Sequence, residues 1–204
     1  MRFTTIFFDL DDTLYPSSTN LWLAIKGRMN EFMRDRMNIP TDEIPALREK
    51  YYMQYGTTLK GLEKHHQINV HDLPLGNYLT PDTAQREIIA SLPTRNLIFT
   101  NADSSHAERV LTQLNLRDLF PVIIDVNAVT PHCKPMPESF EIAMKLAGET
   151  DPSRCVMIDD LTRTTRAAKE AGMSSILFGG TAASEDANAS LSDWNELTNI
   201  LERL

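Results

Sequence analysis

Residues 4–18 read TTIFFDLDDTLYPSS. Thr4 and the β-branched or apolar run Thr5–Phe8 have the character of a buried strand, yet the run ends in Asp9, Asp11 and Asp12. At an effective dielectric of about 20, two like charges roughly 4 Å apart repel by about 4 kcal/mol. A cluster of carboxylates at a strand end persists either because its side chains all point into water, as in an ordinary turn, or because a cation neutralises it. The remainder of the chain decides between the two.

The chain has 204 residues, 42% of them hydrophobic and 24% charged, enough for one large domain or one domain with an insertion. Its formal net charge of −8 disfavours a nucleic-acid polymer as partner, because a phosphate backbone is held by clustered Lys and Arg. A small phosphorylated ligand at one local basic spot remains compatible. Cys133 and Cys155 are the only cysteines, too few for a disulfide framework, and a reduced cytoplasmic setting is expected. His132 stands beside Cys133, but nothing completes a four-ligand zinc set. No apolar stretch approaches a membrane span, and the N-terminus lacks the basic-then-apolar pattern of a signal peptide, so no membrane partner is expected.

Five short, nearly continuous apolar runs read as strands covered on both faces: Phe3–Asp9, Asn96–Thr100, Val122–Asp125, Cys155–Asp159 and Ser175–Phe178. Helical patterns separate the last four. Ala107, Val110, Leu111 and Leu114 share one face, and Phe140, Ala143, Met144 and Ala147 share another with Gly148 as a stop. Ala167, Ala168 and Ala171 precede Gly172, and a last helix covers SDWNELTNILERL. Strands alternating with helices predict an α/β fold, a Rossmann-like parallel sheet of about five strands with helices on both faces.

The first strand breaks this rhythm, for roughly seventy residues without a strand pattern follow it. Leu21, Ile25, Met29, Phe32 and Met33 fall on one helical face, with Ser18 or Thr19 as N-cap candidates. A second helix takes Thr41 as its cap, carries Pro45 in its first turns and ends at Gly56; TTLKGLEKHHQI and VHDLPLGNYL complete the block. The expected division is a core of residues 1–15 and 82–204 and an all-helical cap of residues 16–81. An insert at the carboxyl end of a sheet strand lies over the crevice where ligands bind.

Polar groups recur at the strand ends. The first strand ends in Asp9 and Asp11, the second in Thr100 and Asn101, and the fourth in Asp159 and Asp160, while Lys134 follows the third. In a parallel sheet these ends face one edge, so the residues can converge. Oxygen-only ligands favour a hard cation such as Mg²⁺ over zinc, and a lysine beside a cation suits a phosphate dianion.

FFDLDDTLY, IFTN, CKP and MIDD, in this order and spacing, resemble the four motifs of the haloacid dehalogenase superfamily, and the likeness covers essentially the whole chain. FFDLDDTLYPSS, YYMQYGTTLKGL and FTNA further resemble the pyrimidine 5′-nucleotidase branch, whose members dephosphorylate nucleoside monophosphates such as UMP and CMP. The resemblance implies a Mg²⁺-dependent phosphomonoesterase. Asp9 would attack phosphorus to form an aspartyl-phosphate, and Asp11 would protonate the leaving oxygen and then activate water. Mg²⁺ would sit among Asp9, the backbone carbonyl of Asp11, and Asp160, with Asp159 beside them. The Thr100 hydroxyl and the Asn101 backbone N–H would bind phosphate oxygens, and Lys134 would screen the nucleophile from the phosphate. The dehalogenases of the superfamily lack an acid two positions after the nucleophile, so Asp11 points to phosphoryl transfer. One departure stands out. Relatives often continue the fourth motif with a serine and an asparagine where this chain has Leu161 and Thr164.

Plainer readings accompany these. Asp12, with Thr13, shapes the turn. His65 and His66 are adjacent on a helix and belong on the surface, and His106 and His132 lie near the crevice edge with no partner legible in the sequence. Tyr51, Tyr52 and Tyr55 have core spacing, although Tyr52, Tyr55 or Lys60 could contact a base or sugar. Arg163 either reaches a phosphate or caps solvent-facing helix. The expected partner is a small phosphorylated metabolite, a nucleoside monophosphate before a sugar phosphate. Outside the enzymes, a receiver-like signalling domain also groups acids, Thr and Lys, with Asp125 ending the third strand, and a non-catalytic phosphate-binding protein is a further alternative.

Overall fold

A computed structural model describes residues 2–55, 57–66, 68, 74–180 and 185–204. The stop expected at Gly56 and residues 70–73 of the VHDLPLGNYL stretch lie outside the described residues.

In chain order the elements are β1 (Thr5–Phe8), α1 (Leu21–Met37), α2 (Ile44–Tyr55), α3 (Thr58–His65), α4 (Thr83–Ser91), β2 (Arg95–Phe99), α5 (Ser104–Gln113), β3 (Ile123–Ile124), α6 (Pro137–Ala147), β4 (Cys155–Asp159), α7 (Thr162–Glu170), β5 (Ser174–Phe178), β6 (Ala189–Leu191) and α8 (Leu197–Arg203). The strands form one sheet in the order β3-β2-β1-β4-β5-β6, with every pairing parallel. Phe8 lies level with Ile98 on one side and Ile158 on the other, so the three central strands end together. The strand order reverses between β1 and β4, and the crevice beyond such a reversal is where ligands bind in open α/β sheets.

Side chains alternate across β1. Phe7 packs with Leu97, Phe99 and Met157 beneath Phe140 and Ala143 of α6 and Ala167 and Ala168 of α7. Ile6 and Phe8 turn to the opposite face, with Val110 and Leu111 of α5, Ile89 of α4 and Leu197 and Leu201 of α8. That second core runs on into the inserted helices through Leu21, Ile25, Met29 and Met33 of α1, Ile44 of α2 and Leu62 of α3. Phe32, expected on the same face of α1, is only half-buried.

Several local expectations are corrected. There are six strands rather than five: β6 is three residues long with Leu191 its one buried side chain, too short to show a period. Neither Ser18 nor Thr19 caps α1. They form a 3₁₀ turn, and Asn20 takes the cap position in the left-handed conformation at φ 61°. Thr41 does not cap α2, which begins three residues later, after a turn closed by the Glu43 N–H on the Pro40 carbonyl at 2.9 Å. α4 carries no legible apolar stripe, since only Gln85 and Ile89 are buried, and its start is set by the Asp82 carboxylate, which accepts from the N–H groups of Ala84 and Gln85. Gly148 ends α6 as expected, at φ 71°.

Candidate active site

The level ends of β1 and β4 bring Asp9 and Asp159 side by side, and the Asp9 N–H donates to the Ile158 carbonyl at 2.9 Å. Between them sits Lys134, from the loop after β3, whose Nζ donates to Asp9 Oδ1 and to Asp159 Oδ2, both at 2.7 Å. The lysine side chain is 3% exposed. Burial disfavours its charge, but Asp159 and Asp9 outweigh that and hold its pKa above the usual value. Burial pushes the Asp9 carboxyl well up, against the pull of Lys134 and with the help of Asp159. Asp160 is pushed up to about 7 by burial and by Asp159 and Asp12. One carboxylate oxygen each from Asp9, Asp159 and Asp160 lie within 4.8 Å of one another.

Each of these groups is held by its neighbours. The Thr13 hydroxyl donates to Asp9 Oδ2 at 3.3 Å, so Thr13 does more than shape the turn. Asp12 does shape it, at φ 59°, and among the described residues its buried Oδ1 has no partner. The Leu161 N–H donates to Asp159 Oδ1 at 2.9 Å, while its side chain lies exposed. Asn101 turns its side-chain amide onto the backbone of Lys134 rather than into solvent. The Thr100 hydroxyl oxygen accepts from the Ala102 N–H at 3.0 Å, which leaves its proton for another acceptor.

The Asp11 carboxylate does not join the Asp9, Asp159 and Asp160 group. Its Oδ1 accepts from the Tyr15 hydroxyl at 2.5 Å and pairs with His106 Nε2 at 2.7 Å. Burial would raise its pKa, but His106 and Tyr15 outweigh burial and hold it below the ordinary carboxylate value. His106 is correspondingly raised, the Asp11 carboxylate overcoming the effect of burial. Neither partner was legible in the sequence. Tyr15 closes a turn, His106 follows its own helix cap by three residues, and only the folding of α5 against β1 brings them together.

Asp125 lies just beyond β3 and is spent on structure. Its carboxylate accepts from the N–H groups of Ser104, Asn127 and Ala128 at 2.9, 3.1 and 2.8 Å. A receiver-like domain would need that carboxylate free.

The acidic group opens into a cavity of about 540 Å³. Its far wall comes from the inserted helices, through Trp22 of α1, Arg48 and Tyr52 of α2 and Lys60 of α3. The Arg163 guanidinium lies 5.3 Å above the Tyr52 ring, and Lys60 Nζ donates to Thr130 Oγ1 at 2.6 Å. Tyr55, by contrast, packs against Tyr51 and His65. His65 is exposed and His66 half-buried, as adjacent helical positions predict.

A family model for haloacid dehalogenase-like hydrolases matches residues 3–172, which carry all of these groups. The chain belongs to the haloacid dehalogenase-like hydrolases. Among its relatives within and around this family is phosphate metabolism protein 8 of Saccharomyces cerevisiae, 33% identical over 192 residues, covering 84% of this chain and 60% of that protein. Fructose-1-phosphate phosphatase YqaB of Escherichia coli is 32% identical over 79 residues, covering 39% of this chain and 41% of the other. The chain thus spans well under two thirds of the length of these relatives. Of solved structures, a haloacid dehalogenase phosphatase from Thermococcus onnurineus superposes with a TM-score of 0.73 at 19% identity, over 97% of each chain, a likeness of fold. No helix among this hydrolase's described residues is long and apolar enough to cross a membrane.

Proposed function

We propose that this hydrolase is a Mg²⁺-dependent phosphomonoesterase working through an aspartyl-phosphate, with a pyrimidine nucleoside 5′-monophosphate as substrate. The observation that carries the reading is the placement of Lys134 within 2.7 Å of both Asp9 and Asp159 at the mouth of a ligand-sized cavity. An anionic nucleophile can approach a phosphate dianion only where positive charge stands beside it.

The carboxylates fit a hard cation. Three converge within 4.8 Å, and crowding holds Asp160 near pH 7, a state that a divalent ion would relieve. Asp9, Asp159 and Asp160 would hold it, with the Asp11 carbonyl from the backbone. When bound, Mg²⁺ supplies charge neutralisation for the phosphate. Thr100, with its hydroxyl proton uncommitted, and the Asn101 N–H orient the phosphate oxygens.

In the first step Asp9 Oδ forms a bond to phosphorus while the bond from phosphorus to the ester oxygen breaks. Asp11 gives its proton to that oxygen, so an alcohol leaves. Approach of the dianion disfavours the ionised form of Asp11 and supplies the protonated state this step needs. In the second step Asp11 takes a proton from water, whose oxygen attacks phosphorus and releases Asp9 and inorganic phosphate.

Residues 16–81 act as a cap over a core of residues 1–15 and 82–204. Support comes from the cavity, which has the strand ends on one side and α1, α2 and α3 on the other. The core motifs meet only the phosphate, so base selection falls to Tyr52, Arg48 and Lys60. A cytoplasmic setting accords with Cys133 and Cys155 both being free thiols. The local identity to a fructose-1-phosphate phosphatase favours a second reading, a sugar phosphate as substrate. Assays of UMP, CMP, AMP, GMP and fructose 1-phosphate with Mg²⁺ separate them. The nucleotide reading expects higher kcat/KM for UMP and CMP; comparable values throughout leave a general phosphatase, and no hydrolysis rejects the enzyme.

A further inference from the structure

We infer that His106 and Tyr15 are positioning residues for Asp11, holding one of its carboxylate oxygens so that the other is left for the substrate's leaving oxygen. This rests on the phosphatase reading above, in which Asp11 is the general acid.

A general acid works only with its oxygen within hydrogen-bond reach of the atom it protonates. An aspartate side chain turns about two torsions, and a single hydrogen bond leaves it free to swing. Asp11 Oδ1 takes two bonds, from Tyr15 at 2.5 Å and from His106 at 2.7 Å. They reach it from separate elements. Tyr15 lies where the chain leaves β1 for α1, and His106 stands in the first turn of α5, after β2. His106 is itself anchored, since its backbone N–H donates to the capping Asp103 carboxylate at 3.0 Å. Its side chain is 9% exposed and Tyr15 is buried, so each would lose solvation without a partner, and both find it in the same oxygen.

The two carboxylates that flank Leu10 are thereby held apart in partnership as well as in space. Asp9 is held by Lys134 and Thr13, and Asp11 by His106 and Tyr15. Positive charge beside Asp9 suits a nucleophile that must meet a dianion. A fixed carboxyl, kept out of the acidic group, suits a proton donor.

The test is the dependence on leaving group. An alkyl phosphate needs its leaving oxygen protonated, whereas p-nitrophenyl phosphate hardly does. His106→Ala should lower kcat for an alkyl phosphate on the order of 100-fold, the scale of a misplaced reacting group, with KM little changed. It should lower kcat for p-nitrophenyl phosphate far less, and it should add nothing in an Asp11→Asn background. His106→Gln, which keeps a side-chain N–H, should recover part of the loss, and Tyr15→Phe should show the same split if His106→Ala fails to fold. Equal losses on both substrates, or losses that add to Asp11→Asn, would reduce the pair to packing and overturn the inference. A wild-type protein inert toward both substrates would reject the phosphatase reading instead. The pairing is then read by ¹⁵N-histidine NMR: the His106 Nε2–H should exchange slowly in the wild type and fast in Asp11→Asn, and fast exchange in both overturns it.

Discussion

Asn101 grips Lys134 by its backbone: the Lys134 N–H donates to Asn101 Oδ1 and Asn101 Nδ2 donates to the Lys134 carbonyl, each at 2.9 Å. The side chain of one strand-end residue thus fixes a loop residue that is 33 positions away in the chain. Asn101→Ala removes both bonds and leaves two backbone groups short of partners. Stability should fall by about 1–3 kcal/mol. Activity should fall further than stability explains, on the order of 100-fold in kcat, because the ammonium between Asp9 and Asp159 loses its support. Denaturant melts and steady-state kinetics on the purified variant check both; a variant that melts lower but turns over normally would separate the clasp from catalysis.

Asp9→Asn should leave the fold intact and turnover reduced by about 10³-fold or more, since an amide of the same shape is a poor nucleophile. Lys134 keeps Asp159 as its partner, and removing one charge from a crowded group relieves repulsion. The metal-free variant should therefore melt no lower than the metal-free wild type. Substantial residual turnover in a preparation free of wild-type enzyme would reject Asp9 as the nucleophile.

Chelation should abolish activity and Mg²⁺ should restore it, with a pH dependence of defined sign. Asp160 in the folded protein keeps its proton up to about pH 7, whereas in the unfolded chain it loses it near the ordinary value of 3.8. Between these limits the folded state binds more protons, so metal-free stability declines as pH rises through that window and levels off above it. Asp9 is shifted the same way, and Asp11, held below the ordinary value, acts in the opposite sense at lower pH. Mg²⁺ competes with these protons, so its stabilising effect should be larger at about pH 8 than at about pH 5. Thermal melts with EDTA and with Mg²⁺ at both pH values test this, and an equal shift at both would count against the carboxylate cluster as the metal site.

Tyr52→Ala and Lys60→Ala should each lower kcat/KM for UMP more than for AMP, narrowing the ratio by up to about tenfold, the scale of one lost contact in a selective pocket. Tyr52 lies under the Arg163 guanidinium and Lys60 reaches Thr130, so both also join the inserted helices to the sheet side of the cavity. A uniform loss on both nucleotides would show that they close the site without choosing the base.

Sequence alone determined the parallel α/β fold and the strand-end positions of Asp9, Thr100, Asn101, Asp159 and Asp160. Apolar runs and helical periods are local signals, and a parallel sheet brings its strand ends to one edge whatever fills the loops. The long elements were legible for this reason, whereas β6 and α4, one three residues long and the other without a clear stripe, were not. Only the tertiary structure decided which polar groups pair. Asp9, Asp11 and Asp12 are near neighbours in the chain, yet they go respectively to Lys134, to His106 with Tyr15, and to a turn in the left-handed conformation. Their partners lie up to 125 positions away, and no local period carries that information. Pairing over such distances follows from how the helices pack on the sheet, and in a buried site it sets which carboxylate is charged and which way it points.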